Sequence, residues 1–292
     1  RLQESCWRAG RGPDALDVPH TESPGLDAGP SISPPHTSTL ESMRITVALT
    51  PTLLREPRHH AVAVVDVLRA TTSLVTMLEN GLLRAIISDN IQQARKLALN
   101  NFALLCGEVK AQPPAGFDYG NSPAEFAGLS FKGKSAVLFT TNGTRALSAA
   151  AAAPFVIAAA LVNRRAAAQR LVAEAARRKL DIAIVCAGVE RGTAFSLEDS
   201  AAAGAIVEAA MEADATIAMT DASWAALHLW RWYRGDAMRL FRQSKHGRAL
   251  HDLGFDGDLA YAAQLDIYES VPLLYDDDGV NVLRTRVPRA KG

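Results

Sequence analysis

The chain has 292 residues, 48% hydrophobic and 21% charged, with 31 Lys and Arg balancing 31 Asp and Glu. This is the composition of a soluble globular protein forming one large domain or two modest ones. Zero net charge gives no global field to draw in nucleic acid or an anionic membrane, and no apolar run approaches the ~20 residues of a spanning helix.

Cys6, Cys106 and Cys186 lack CxxC spacing and fit a reduced, cytoplasmic setting better than a disulfide framework. Residues 1–42 are rich in Pro, Gly, Ser, Asp and Thr, without apolar period or the n- and h-regions of a secretory signal. They are expected to be disordered or non-native upstream sequence. Folding is expected to start at Met43-Arg44-Ile45-Thr46-Val47 and to run as a single domain over 43–292.

From there short apolar runs alternate with helical stretches. Strands are predicted over Ile45–Leu49, Ala61–Val67, Arg84–Ser88, Ala103–Cys106, Ala136–Thr140, Phe155–Ala158 and Ile182–Cys186. Helices are predicted over Thr72–Asn80, Asn90–Asn100, Thr144–Ala152, Asn163–Lys179 and Leu197–Glu212. Ala215–Met219 suits a strand or a helix end. The alternation indicates an α/β fold with helices covering a largely parallel or mixed sheet. Further on, Ala222–Phe241 reads as one long helix and Asp258–Tyr268 as another, with Asp276-Asp277-Asp278 a solvated turn. The aromatic run Trp224–Tyr233 is expected to pack on the core or on a subunit interface, which leaves a homodimer open.

Three segments share the layout apolar strand, polar turn, helix: Val64–Thr72, Val137–Arg145 and Ile184–Asp199. In open α/β sheets, ligands bind outside the carboxyl ends of the strands. The first turn carries Asp66, Arg69, Thr71 and Thr72, a carboxylate for a hard cation beside a guanidinium and hydroxyls for phosphate. The second, Thr140-Thr141-Asn142-Gly143-Thr144-Arg145, reads either as an ordinary loop capped by Thr141 or Asn142 or as an anion cradle. In the third, Ser196 and Asp199 match a capping arrangement, while Glu198 and Asp199 could reach a divalent cation. Glu108 stands just past another strand end, and Cys186 reads as core.

The blocks VVDVLRATTS, GEVKAQPPAGFDYGNSPAEF, LFTTNGTRAL and CAGVERGTAFSLEDSAAAG resemble, in order, the 2-phosphosulfolactate phosphatase family. The resemblance runs from about Met43 to the C terminus. It implies a three-layer α/β/α sandwich distinct from the haloacid dehalogenase type, and Asp66 indeed lacks the DxD arrangement of those enzymes. It implies a Mg²⁺-dependent phosphatase releasing 3-sulfolactate from 2-phospho-3-sulfolactate. One departure is notable: after Gly107-Glu108 the family's arginine is replaced by Val109 and then Lys110, a point charge without a bidentate fork.

On this reading Asp66, Glu108, Glu198 and Asp199 supply metal carboxylates, and Asp66, Arg69, Glu108 and Asp199 form the catalytic group. Thr71, Thr72, Thr141, Asn142, Gly143 and Thr144 hold the substrate's phosphoryl group together with Arg69. Lys110, Arg145 and Arg191 meet its sulfonate and carboxylate. The partner is a small anionic phosphoester, not nucleic acid or membrane; either a carboxylate or water attacks phosphorus, direct attack by water being the preferred reading. The rivals are a phosphatase of another small phospho-acid and a non-catalytic anion-binding relative.

Overall fold

The computed structural model describes residues 42–285, so the expectation for residues 1–41 lies outside the described residues. In chain order the elements are β1 (Arg44–Ala48), β2 (His60–Val65), α1 (Ala70–Glu79), β3 (Arg84–Ser88), α2 (Ile91–Asn101), β4 (Leu104–Gly107), α3 (Pro123–Ala127), β5 (Ser135–Phe139), α4 (Gly143–Ala150) and β6 (Phe155–Ala159). There follow α5 (Arg164–Arg178), β7 (Asp181–Cys186), α6 (Leu197–Ala213), β8 (Ala218–Met219), α7 (Asp221–Tyr233), α8 (Ala237–Gln243), α9 (Lys245–Asp252), α10 (Asp256–Ala262), β9 (Leu273–Asp277) and β10 (Val280–Arg284). Inner strands such as β2, His-Ala-Val-Ala-Val-Val, are continuous apolar runs because both of their faces are covered.

The strands form one mixed sheet in the order β4-β5-β3-β10-β9-β6-β2-β7-β1-β8. Its pairs are parallel except those made by the β9–β10 hairpin, which runs antiparallel to both neighbours. Helices cover both faces, giving the predicted α/β sandwich. The hairpin itself was not predicted. Asp276 and Asp277 belong to β9, and only Asp278-Gly279 turns, both with positive φ (55° and 80°). Such a two-residue Asp-Gly turn matches the twist of the strands it joins.

The sheet bends. Helix α4 packs on both β2 and β3, four places apart in the order. In a flat sheet four places span roughly 19 Å, beyond the reach of a helix about 10–12 Å across. Between β2 and β3 the pairing is thinnest at β9/β6, whose register consists of Ile157 opposite Leu273. One buried cluster accordingly joins Val62, Val64 and Val185 of one half to Ile87 and Leu138 of the other, with Leu74, Met77 and Leu147 of α1 and α4 between them. On the outer faces, Leu171 of α5 and Ile206 of α6 close one half, and Ala94 and Ala98 of α2 close the other. Folding the sheet around α1 and α4 carries the carboxyl ends of β2, β4, β5 and β7 toward each other.

Two predicted helices are corrected. Ala222–Phe241 divides into α7 and α8, because Arg234 (φ 52°) and Gly235 (φ 77°) turn left-handed and Asp236 caps a new helix. The last helix ends at Ala262, short of Tyr268. The run ending at Met219 resolves as strand β8. Of the aromatic run, Trp230 packs inward and donates to Glu208, whereas Trp224 and Trp232 stay exposed. Among the described residues no helix is long and apolar enough to cross a membrane.

Candidate functional site

Asp66 directly follows β2, and its turn is closed by hydroxyls that fold back on it. Its backbone N–H donates to Thr71 Oγ1 (3.0 Å), which in turn donates to the Asp66 carbonyl (2.9 Å), while Thr72 Oγ1 donates to the Val67 carbonyl (2.8 Å). In the second turn Thr144 Oγ1 donates to the Thr140 carbonyl (2.8 Å). Thr71, Thr72 and Thr144 are fully buried. The expectation that they donate to a phosphoryl group is therefore corrected: short hydroxyl side chains at a helix start bond the preceding turn, and these lock it.

Of the Asp66 carboxylate, Oδ1 accepts from the Ala70 N–H at 3.3 Å, and no hydrogen bond among the described residues reaches Oδ2. Gly143, the first residue of α4, sits against it. A Cβ at Gly143 would lie 2.5 Å from Asp66 Oδ2 and 2.5 Å from Ala70 Cβ, so only glycine permits this approach.

Arg69 is not the open phosphate fork the sequence suggests. Its Nη1 donates to Asp258 Oδ2 at 2.7 Å and its Nη2 to the Ala111 carbonyl at 2.9 Å, with Phe255 stacked 4.4 Å from the guanidinium. Both partners of this ion pair are buried, and Asp258 also accepts from Ser122 and Ala124. The arginine thereby fastens the β2 turn to α10 and to the start of α3.

Glu108 follows β4. Its Oε1 accepts from the N–H (2.9 Å) and hydroxyl (2.8 Å) of Thr141, and its Oε2 from the Ala111 N–H (2.8 Å). Gly107 allows this strand end to approach β5 closely, since a Cβ there would lie 2.0 Å from the Phe139 carbonyl oxygen. Asp199 is bound in the same manner: Oδ1 accepts from Val67 N–H (2.9 Å) and Oδ2 from Gly188 N–H (3.1 Å). It ties the ends of β2 and β7 together, while Ser196 caps α6 as predicted. Neither Thr141 nor Asn142 caps α4; Thr141 serves Glu108, and Asn142 Oδ1 accepts from the Arg191 N–H.

The four carboxylates expected to hold a metal differ in what the protein already bonds to them. Both oxygens of Glu108 and of Asp199 are engaged by the protein, and among the described residues no group of three or more His, Cys, Asp and Glu is arranged to hold a metal ion. The least engaged are Asp66 Oδ2 and Glu198, which is buried and carries no hydrogen bond from a described residue. The site's charges are strained. Burial pushes the Asp66 carboxyl up to about 7, with Glu108 and Glu198 adding to the rise against the Ala70 N–H and Arg69. Burial, then Asp66 and Glu198, also lifts Asp199 well above the ordinary carboxylate range. Cys186 is core as expected, its thiol raised by burial.

Asp66, Arg69, Glu108, Thr141 and Asn142 line one chamber of about 20 Å³. Thr140, Asn121 and His246 line it too. A cleft of about 220 Å³ adjoins it across Arg69, Ala111 and Asn121. Lys110 and Arg191 are exposed and Arg145 is half-buried; none of the three lines the chamber. A larger groove of about 1010 Å³ lies beside α1, α5 and β9 and contains none of the predicted residues. Sequence reasoning missed Asn121, His246 and Asp258. Asn121 stood in a quoted block, GNSPAEF, but the other two carry no local signal.

An open, bent α/β sheet with buried carboxylates gathered at its strand ends has the layout of an α/β enzyme site, without the dinucleotide or phosphate-loop fingerprint. The chain belongs to the 2-phosphosulpholactate phosphatase family, whose sequence profile matches residues 48–277. It is 37% identical to a protein of Pseudothermotoga lettingae over 77% of this chain and 94% of that relative. It is 39% identical to one of Symbiobacterium thermophilum (72% and 89%) and 39% to one of Synechococcus sp. strain CC9605 (74% and 89%). Each relative is named "Probable 2-phosphosulfolactate phosphatase".

Proposed function

We propose that the chain is a Mg²⁺-dependent phosphomonoester hydrolase that converts 2-phospho-3-sulfolactate and water to 3-sulfolactate and phosphate. The observation that carries this is that the family match covers every strand end contributing to the chamber. Mg²⁺ favours one or two carboxylates completed by waters and substrate phosphate, and Asp66 with Glu198 supplies such a pair. The bound cation would neutralise phosphoryl charge and lower the barrier to attack by water.

The chain's own groups do the remainder. Glu108, held on three sides, positions Thr141 and the α4 start, whose free N–H groups favour a phosphoryl anion. Arg69 keeps the β2 turn in place. Lys110 and Arg145 lie close in the chain to lining residues, the Arg191 backbone N–H bonds the lining Asn142, and these three cations would meet the sulfonate and carboxylate. The test is a panel of phosphosulfolactate, phospholactate and phosphoglycerate assayed with Mg²⁺ and with chelator. Phosphate release should require Mg²⁺ and give the highest kcat/KM on phosphosulfolactate. Saturable binding without turnover would make the protein an anion-binding relative instead.

A further inference from the structure

The chamber beside Asp66 holds an excess of acceptors. Asp66 and Glu108 both face it, Arg69 is committed to Asp258, and the Thr141 hydroxyl donates to Glu108. A dianionic phosphoryl group needs donors there.

Asn121 is the residue with a donor to give. It is only 3% exposed, its side-chain amide makes no hydrogen bond with any described residue, and its Oδ1 is sealed without a partner. Its Nδ2 is not sealed in that way and belongs to a side chain that lines the chamber. Buried amides are nearly always paired within the protein, and one that is not calls for an outside partner. The backbone around it is firmly held. The Asn121 carbonyl accepts from Ser73 Oγ of α1 (3.3 Å), the Gly120 carbonyl from Gly107 N–H (3.0 Å), and Ser122 caps α3 and donates to Asp258. Asn121 also stands on the wall between chamber and cleft.

We propose that the Asn121 side-chain amide donates a hydrogen bond to a phosphoryl oxygen of the substrate. The assignment deepens the phosphatase reading above and rests on it for the identity of the ligand. An isolated amide donor suits an anionic oxygen and not a cation, because the two neighbouring carboxylates already supply the acceptors that a cation would use.

Inorganic phosphate is the probe, since its binding needs no turnover. Calorimetry on wild type, Asn121→Leu and Asn121→Asp at pH 8 with Mg²⁺ should show phosphate affinity falling roughly ten- to a hundredfold in the leucine variant. The aspartate variant, which sets a like charge against the anion, should fall further. Affinity for 3-sulfolactate should change less than twofold in the leucine variant, and far-UV circular dichroism with thermal melts should show both variants folded. If Asn121→Leu binds phosphate as wild type does, or loses only 3-sulfolactate affinity, the assignment is wrong. An aspartate variant that binds phosphate better than the leucine variant would also overturn it, because the amide would then act as an acceptor. A wild type that binds phosphate but releases none from phosphoesters defeats the phosphatase reading alone. Should the leucine variant fail to fold, the isosteric Asn121→Asp decides by the same loss.

Discussion

Arg69 and Asp258 meet through a 2.7 Å ion pair with both side chains buried, although 189 residues separate them. The contact clamps the turn carrying Asp66 to the C-terminal helices. A buried ion pair adds little beyond an apolar substitute, but removing one partner strands the other charge, at a cost of about 3–5 kcal/mol. Asp258→Asn should therefore lower stability by about that amount in urea unfolding and reduce kcat through the displaced turn. A loss below about 1 kcal/mol would mean that the pair is not what holds the turn.

Gly143 abuts the Asp66 carboxylate, leaving no room for a methyl group. Gly143→Ala should move one of the two, costing about 1–3 kcal/mol of stability as overpacking does. Activity should fall at least about tenfold, since small displacements of a reacting group are expensive. Steady-state kinetics beside a thermal melt would separate these effects, and full activity in the alanine variant would remove Asp66 from the site.

The raised Asp66 carboxyl sets a pH dependence whose sign differs from that of a salt-bridged acid. Its ordinary value is 3.8 and its folded value about 7, so between these limits the folded state binds more protons than the unfolded chain. Stability must then fall as pH rises through that window. The contribution is fully present below about pH 4 and gone above about pH 7, and Asp199, raised by the same burial, acts in the same direction. Unfolding midpoints measured in chelator across this range should decline with pH in wild type and less steeply in Asp66→Asn. Parallel slopes would disprove the assignment.

Glu198 is a buried carboxyl without a protein donor, an arrangement that serves a ligand better than it serves the fold. Glu198→Gln should leave the melting temperature in chelator at pH 8 unchanged or higher, because a like charge near Asp66 and Asp199 disappears. Wild type should gain about 2.7 kcal/mol from Mg²⁺ at a hundredfold excess over Kd, and the variant should lose that gain. An undiminished Mg²⁺ response in Glu198→Gln would exclude this residue as a ligand.

The strand-end turns were legible because apolar strands and helical periodicity bracket them, which placed Asp66, Glu108 and the Thr140–Arg145 turn without any long-range information. The Ser196 cap was legible for the same reason, being a local bond. What the side chains do with their hydrogen bonds was not legible. Thr71 and Thr72 could have faced a ligand or folded back, and their residue types are compatible with both. Asp258 and His246 reach the site only through tertiary packing, while the hairpin's Asp278-Gly279 signal was masked by the two aspartates before it. The sheet bend brings β2 and β3 onto one helix, and no local window contains all three elements.

The bend also changes what a mutation far from the chemistry can do. Two half-sheets close on α1 and α4 as jaws close on a gauge block, so the gap between Asp66 on one jaw and Glu108 on the other follows the girth of the helices between them. Leu147, sealed within that wedge, lines neither the chamber nor the adjoining cleft. Trimming or thickening it should reset that gap, giving selection a way to resize the chamber without altering a single residue that lines it.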